Sequence, residues 1–217
     1  HNGKLYLRVV DYKTGKKSFD LAELRYGLGL QMLLYLFTLK EEGRALFGGQ
    51  EIVPAGVLYT PAREPMLRCA RDTAPEKIEK ARKKELRRSG MVLEDPAVLQ
   101  AMERSALTSP CYLPIAVKKD GAVTGSLASA EQLGKLSKYV DRLLHEITQE
   151  VFAGNIDADP YARTPQQSAC TYCEFASACH FEDGCGSDRM EYIKATKNDE
   201  FWQHIDEVNG KEARSDG

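Results

Sequence analysis

A chain of 217 residues with 42% hydrophobic and 29% charged side chains has room for one sizeable domain, or one domain with an appendage. Its composition is ordinary for a soluble globular protein. The formal net charge of −2 excludes a global basic field that would draw in nucleic acid, so any such site must be local. No apolar run is long enough to cross a membrane and no signal-peptide pattern opens the chain. The first residue is His1 rather than Met, and the chain is expected to be a piece of a longer polypeptide.

Residues 4–13 alternate and then run apolar through Val9 and Val10, which predicts a buried strand. The strand ends in Asp11-Tyr12-Lys13-Thr14-Gly15. Side chains alternate along a strand, so Asp11 and Lys13 share a face and Tyr12 turns away. The Tyr12 carbonyl lies between them and is free for a metal if the ladder stops there. Magnesium takes oxygen ligands and retains water; Asp11, this carbonyl and a second carboxylate would hold it. Lys13 would then orient or help deprotonate an attacking water and stabilise charge developing on a phosphate. Taken alone, the D-x-K triplet is a weak pattern, and a plain strand-end ion pair fits it better.

Asp20 is a predicted N-cap for a long, deeply buried helix over residues 21–42 ending near Gly43. Gln31 and Tyr35, four apart, occupy one face of it and need partners. Arg25 and Tyr26, at the mouth of the same helix, are placed for contact with a single DNA strand, though Tyr26 fits a core position equally well. Residues 52–60 predict a second strand with Pro54 at its start. The stretch 61–110 reads as a helical insertion: a charged helix, a short extended piece at "GMVLED", and a second helix with Pro96 in its first turn. The basic run of Lys77, Lys80, Arg82, Lys83, Lys84, Arg87 and Arg88 could track a DNA backbone. Its interleaving with Glu76, Glu79 and Glu85 favours instead a solvated helix with intrahelical pairs. Residues 112–118 predict a third strand, and Leu133, Leu136, Val140, Leu143, Leu144, Ile147 and Val151 predict an amphipathic helix over 130–153. The tail after 185 is polar except around Tyr192–Ile193 and Phe201–Trp202, and its last eight residues are expected to be disordered.

Of six cysteines, Cys170, Cys173 and Cys179 form a C-x2-C-x5-C cluster with Tyr172, Phe175 and Phe181 interleaved. Three thiolates at that spacing suit zinc or an iron–sulfur cluster in a reducing cytoplasm. Cys69, Cys111 and Cys185 read as ordinary thiols, and His145 and His180 as surface residues.

The D-Y-K-T strand end at Asp11, Tyr12, Lys13 and Thr14, followed by Gln31 and Tyr35 in a Q-x-x-x-Y helix, resembles the RecB-type nucleases of the PD-(D/E)XK superfamily. The cysteine triad resembles the iron–sulfur group of those nucleases. The runs "SFDLAELRYGLGLQMLLYL" and "DPYA" look most like the B subunits of AddAB- or RexAB-type helicase–nucleases. The resemblance spans Leu5 to Phe181. It implies an α/β, restriction-endonuclease-like core with a central mixed sheet flanked by helices, comprising residues 1–160 with the insertion at 61–110. A cysteine segment at 161–185 and a tail at 186–217 would follow. It further implies a magnesium-dependent DNA exonuclease that trims the 5′-ended strand at double-strand breaks in a bacterial cytoplasm, in a heterodimer with a helicase–nuclease A subunit. Asp11, Lys13, Gln31 and Tyr35 would be the catalytic set, Asp11 and Tyr12 the magnesium ligands, and Cys170, Cys173 and Cys179 three ligands of a [4Fe–4S] cluster. The family's first catalytic carboxylate and fourth cysteine should precede Asp11, and neither is present. The chain is therefore expected to be catalytically incomplete by itself. The alternative is a non-catalytic interaction module of a DNA-repair complex, stapled by a metal or cluster.

Overall fold

The computed structural model describes residues 1–215. In chain order it contains β1 (Lys4–Lys13), α1 (Leu21–Arg25), α2 (Gln31–Glu42), β2 (Glu51–Pro61), α3 (Pro75–Glu85), β3 (Ser89–Leu93), α4 (Pro96–Met102), β4 (Ile115–Val117), β5 (Val123–Gly125), β6 (Leu127–Ala128), α5 (Ala130–Ala153), β7 (Tyr161–Thr164), β8 (Gln167–Ser168), α6 (Ala176–Cys179), β9 (Glu191–Tyr192) and α7 (Asn198–Ser215). These divide into two compact units, residues 1–19 with 29–138, and residues 20–28 with 139–217.

The first unit is built on a mixed four-stranded sheet in the order β1-β2-β3-β6. β1 runs parallel to β2, β2 antiparallel to β3, and β3 parallel to β6. β1 pairs with β2 along its whole length, and the register skips Ala55, opposite the Leu7–Arg8 step. Pro54 has no N–H to give the ladder, and a bulge at the next residue absorbs the gap. Val10 and Leu58 project into a core with Val92, Leu99, Leu113 and Ile115. The alternate residues of β1 and β2 face the opposite side, where α2 packs through Met32, Leu33, Leu36 and Phe37.

The mixed sheet flanked by helices is the expected fold class, but three elements differ from expectation. The helix 21–42 is two helices. Gly27 takes φ +74°, Leu28 N–H bonds to Glu23 O at 2.9 Å and Gly27 N–H to Leu24 O at 3.1 Å. This paired closure ends a helix at a left-handed residue, which glycine adopts without strain. Asp20 does cap α1, accepting from Ala22 N–H at 2.8 Å. The strand expected at 112–118 shrinks to β4, which pairs with β5 in a separate hairpin; Pro114 interrupts the run and the turn at Gly121 folds it back. The stretch 61–110 holds the two expected helices, yet β3 between them is an internal strand of the main sheet.

The carboxylate of Glu103 shapes the loop that delivers Leu113 and Ile115 to the core. It accepts the backbone N–H groups of Cys111, Tyr112 and Leu113 at 2.5, 3.1 and 2.9 Å. Burial pushes its pKa up, but these bonds and the Ser105 hydroxyl outweigh burial and hold it below the ordinary value.

α5 starts in the first unit and runs on into the second. It opens on a reciprocal cap: Ser129 Oγ accepts from Gln132 N–H at 3.1 Å and Gln132 Oε1 from Ser129 N–H at 2.8 Å. The helix starts and ends where its pattern predicts. Its early apolar residues, Leu133, Leu136 and Val140, are buried, while Ile147 and Val151 are exposed. In the second unit a three-stranded sheet β8-β7-β9 follows. Phe201 and Ile205 of α7 are fully buried. α7 continues through Ser215, where disorder was expected; the last two residues of that expectation, Asp216 and Gly217, lie outside the described residues.

Glu103→Gln replaces one accepting oxygen by a donor that faces N–H groups, and should destabilise the protein by about 1–3 kcal/mol at neutral pH. Because the folded carboxyl titrates below its unfolded value, its contribution is complete above about pH 4.3. It fades as pH falls through the lower folded pKa. Urea unfolding of both proteins across the acid range should show the gap closing there.

Candidate active site

The register of β1 on β2 sets Asp11 opposite Tyr59 and Lys13 opposite Pro61. As the alternation requires, Asp11 and Lys13 share a face, and Lys13 Nζ lies 2.7 Å from Asp11 Oδ2. Hydrogen bonding to this carboxylate raises the Lys13 ammonium above its ordinary pKa. Tyr12 points to the other face and is 69% exposed. The buried Tyr59 ring lies beneath the pair, its centroid 5.8 Å from Lys13 Nζ.

The backbone at this tip is equally informative. Ala62 N–H bonds to Lys13 O at 2.9 Å, so Lys13 directs its backbone groups toward β2. In a parallel ladder the neighbouring residue then directs its own the opposite way. β1 is an edge strand of the sheet, so the Tyr12 carbonyl faces an edge that no strand covers among the described residues.

α2 presents its buried side to the sheet and carries Gln31 and Tyr35 on its exposed side. The two are hydrogen-bonded to each other, Gln31 Nε2 to Tyr35 Oη at 3.2 Å, and Tyr35 is 53% exposed. The expectation of deep burial all round this helix fails there. The partner each polar tip requires is the other, on a solvent-facing surface.

Beyond Lys13 the strand ends open into a cleft of about 310 Å³, bounded by the loop after β1, the end of β2 and the C-terminal end of α3. Sequence reasoning missed this cleft and the role of Tyr59 in its floor. The signal for Tyr59 was the strand alternation in "GVLYT", which puts it on the face opposite Leu58.

Residues 1–180 match the PD-(D/E)XK nuclease superfamily. The chain belongs to that superfamily. It is also similar to proteins named as the B subunit of an ATP-dependent helicase/deoxyribonuclease. It is 36% identical to that of Acetivibrio thermocellus over 91% of this chain and 17% of the relative. It is 32% identical to that of Ruminiclostridium cellulolyticum over 95% and 18%, and 34% identical to that of Clostridium botulinum strain Hall over 94% and 18%. The chain thus spans less than a fifth of the length of these relatives.

Members of a nuclease superfamily that works on phosphodiesters need oxygen donors for a divalent cation. Asp11 Oδ and the outward Tyr12 carbonyl are two such donors on one strand tip. That is a partial set which magnesium can complete with water and substrate phosphate, since it binds through one or two carboxylates and keeps several waters. Among the described residues no group of three or more His, Cys, Asp or Glu side chains is gathered to hold a metal ion. The same holds for the cysteine triad. Cys170 is half-buried and Cys173 and Cys179 are exposed thiols, held by local turns through Cys173 N–H to Cys170 O and Cys179 N–H to Phe175 O.

Arg25 and Tyr26 belong to the second unit. Tyr26 stacks edge-on against Tyr161 at 5.4 Å, and the Arg25 carbonyl accepts from Tyr139 Oη at 2.8 Å; burial pushes the Tyr139 phenol up to about 12. Both line a cavity with Glu146, Glu150, Asp157 and Asp159. An acidic lining repels a phosphate backbone, so the DNA contact expected of Arg25 and Tyr26 finds no support there.

Gln31→Ala and Tyr35→Phe each remove only a surface contact. Each should change the unfolding free energy by less than about 0.5 kcal/mol. A larger loss in denaturant titrations would place these side chains in the core rather than on an open surface.

Proposed function

We propose that this chain is the nuclease domain of a magnesium-dependent deoxyribonuclease that trims the 5′-ended strand at DNA ends. It would work in the bacterial cytoplasm within a helicase–nuclease, beside a partner subunit. The observation that carries this reading is the Asp11–Lys13 pair at the tip of an edge strand, with the Tyr12 carbonyl turned to the open side.

Asp11 and the Tyr12 carbonyl would hold the cation, which when bound supplies Lewis-acid activation of the scissile phosphate and its water. Lys13, tethered by Asp11, directs its N–H donors at the water and at charge developing on the phosphate oxygens. Gln31 and Tyr35, fixed by their mutual hydrogen bond, orient the strand from α2. One carboxylate makes a sparse site. The 217-residue chain alone therefore cleaves far more slowly than the parent protein, in which a second carboxylate completes the set. In the parent protein Cys170, Cys173 and Cys179, drawn together from their present separate turns, would hold a [4Fe–4S] cluster with a fourth cysteine from elsewhere in that protein. Closing so long a loop restricts the unfolded chain and stabilises the domain.

In the parent protein Asp11→Ala and Lys13→Ala should each lower DNA cleavage by roughly a hundredfold or more while leaving unwinding intact. Wild-type cleavage by either variant overturns the assignment. Anaerobic reconstitution of the parent protein with iron and sulfide should give a stable cluster that is lost on Cys173→Ser. Unchanged iron content in that variant would remove the triad from the site.

A further inference from the structure

The cleft beyond Lys13 has a lining that the D-x-K motif does not explain. Its cations come from three separate segments: Lys16 and Lys17 in the loop after β1, Arg63 after β2, and Lys84 and Arg87 at the end of α3. Among the described residues Glu85 is the one acid in that lining. A chain with net charge −2 has thus concentrated positive charge beside its reactive pair, and a concave wall focuses such a field.

How these cations are held bears on their use. Arg87 is locked by neutral partners, donating from Nε to Leu113 O at 3.0 Å and from Nη2 to Ile115 O. Its position is thereby fixed, and among the described residues its charge has no ion-pair partner. Lys84 makes no ion pair among the described residues. Glu85 is shared at long range, 3.5 Å from Lys16 Nζ and 3.4 Å from Arg63 Nη2. Long, partly exposed pairs of this kind contribute little stability and are readily exchanged for a better anion. The Tyr59 ring and Pro61 give the same cleft an apolar wall, which suits a sugar between two phosphates better than it suits a free inorganic anion.

We propose that this cleft is a phosphate subsite for the DNA strand next to the phosphate held at Asp11 and Lys13. Lys16, Arg63, Lys84 and Arg87 grip the backbone there. Glu85 is an internal competitor: it holds Lys16 and Arg63 in place when the cleft is empty and yields them to the incoming phosphate. The inference rests on the nuclease reading, whose own test is the loss of cleavage in Asp11→Ala.

The test is equilibrium binding of a labelled single-stranded oligonucleotide to the 217-residue chain in chelator, measured over a range of salt. Lys16→Ala/Lys84→Ala should weaken binding roughly tenfold and make the slope of log affinity against log salt shallower by about 0.7 for each cation removed. Glu85→Gln should act in the opposite direction and tighten binding about threefold at low salt. A purely structural role for these ion pairs predicts no such gain. Far-UV circular dichroism confirms that each variant is folded, and the opposed sign of Glu85→Gln keeps the test informative should the double variant be damaged. No binding by the wild-type chain, wild-type affinity and slope in the double variant, or weaker binding by folded Glu85→Gln would each overturn the subsite. So would inorganic phosphate displacing the oligonucleotide at equal phosphate concentration, which would mark a site for the free anion. If cleft variants bind normally while Asp11→Ala abolishes cleavage, the subsite fails and the nuclease reading stands.

Discussion

The parallel pairing of β1 with β2 is the constraint on which the rest of the first unit depends. It matches ten residues of β1 to a strand that must accommodate Pro54. The single skipped residue at Ala55 decides which side chains of β2 meet those of β1 beyond it. A strand slipped by one residue would turn its whole apolar set to the wrong face. Leu58 would leave the core it shares with Leu99 and Leu113, and Tyr59 would leave its place beneath Lys13. The geometry of the Asp11–Lys13 pair is thus a consequence of core packing several residues away.

The other flank of β2 is constrained as tightly, by backbone rather than by side chains. Gly56 and Gly90 sit where β2 and β3 come closest: a Cβ on Gly56 would stand 2.3 Å from Met91 O, and one on Gly90 only 2.0 Å from Val57 O. Both also take φ values, +134° and +157°, that L side chains rarely adopt. β2 is therefore gripped between a bulged parallel neighbour and a glycine-dependent antiparallel one. A strand fixed from both sides is a rigid base for the neighbouring Asp11–Lys13 tip, and rigid positioning is what a reaction at such a tip would require. β1, by contrast, is paired on one side only among the described residues, which leaves the Tyr12 carbonyl available.

The sequence was readable wherever the signal was local. β1 and β2 appear within a residue of their alternation patterns, and α5 starts at its cap because Ser129 and Gln132 satisfy each other within one turn. The break between α1 and α2 was local too, but an apolar run masked it: Leu28 and Leu30 continue the hydrophobic pattern across a glycine that the backbone uses to stop. The fate of residues 112–118 depended instead on competition. β6 pairs with β3 and closes the sheet with two residues, while the longer run around Ile115 turns back on itself. Propensity cannot arbitrate between two strands that seek one partner. The Asp11–Lys13 pair was legible because it needs only the period of a strand. The cleft was not, because its cations lie far apart in sequence and converge only when the end of α3 meets the loop after β1.

Charge follows the same division. Read along the chain, the basic residues of α3 are diluted by glutamates, and Lys83–Glu79 does form the intrahelical pair that such interleaving suggests, while Arg82 pairs with Glu64 from the segment before the helix. Those pairs lie away from the cleft lining, so neutralisation is selective: it silences the outward part of α3 and leaves Lys84 and Arg87 to the cleft. In the second unit the opposite sign is gathered, where Glu146, Glu150, Asp157 and Asp159 surround Arg25. A near-neutral total is therefore the sum of two strong local fields of opposite sign. At physiological salt a field reaches only about 8 Å from its source. The small net charge therefore says nothing about affinity for a polyanion at the cleft.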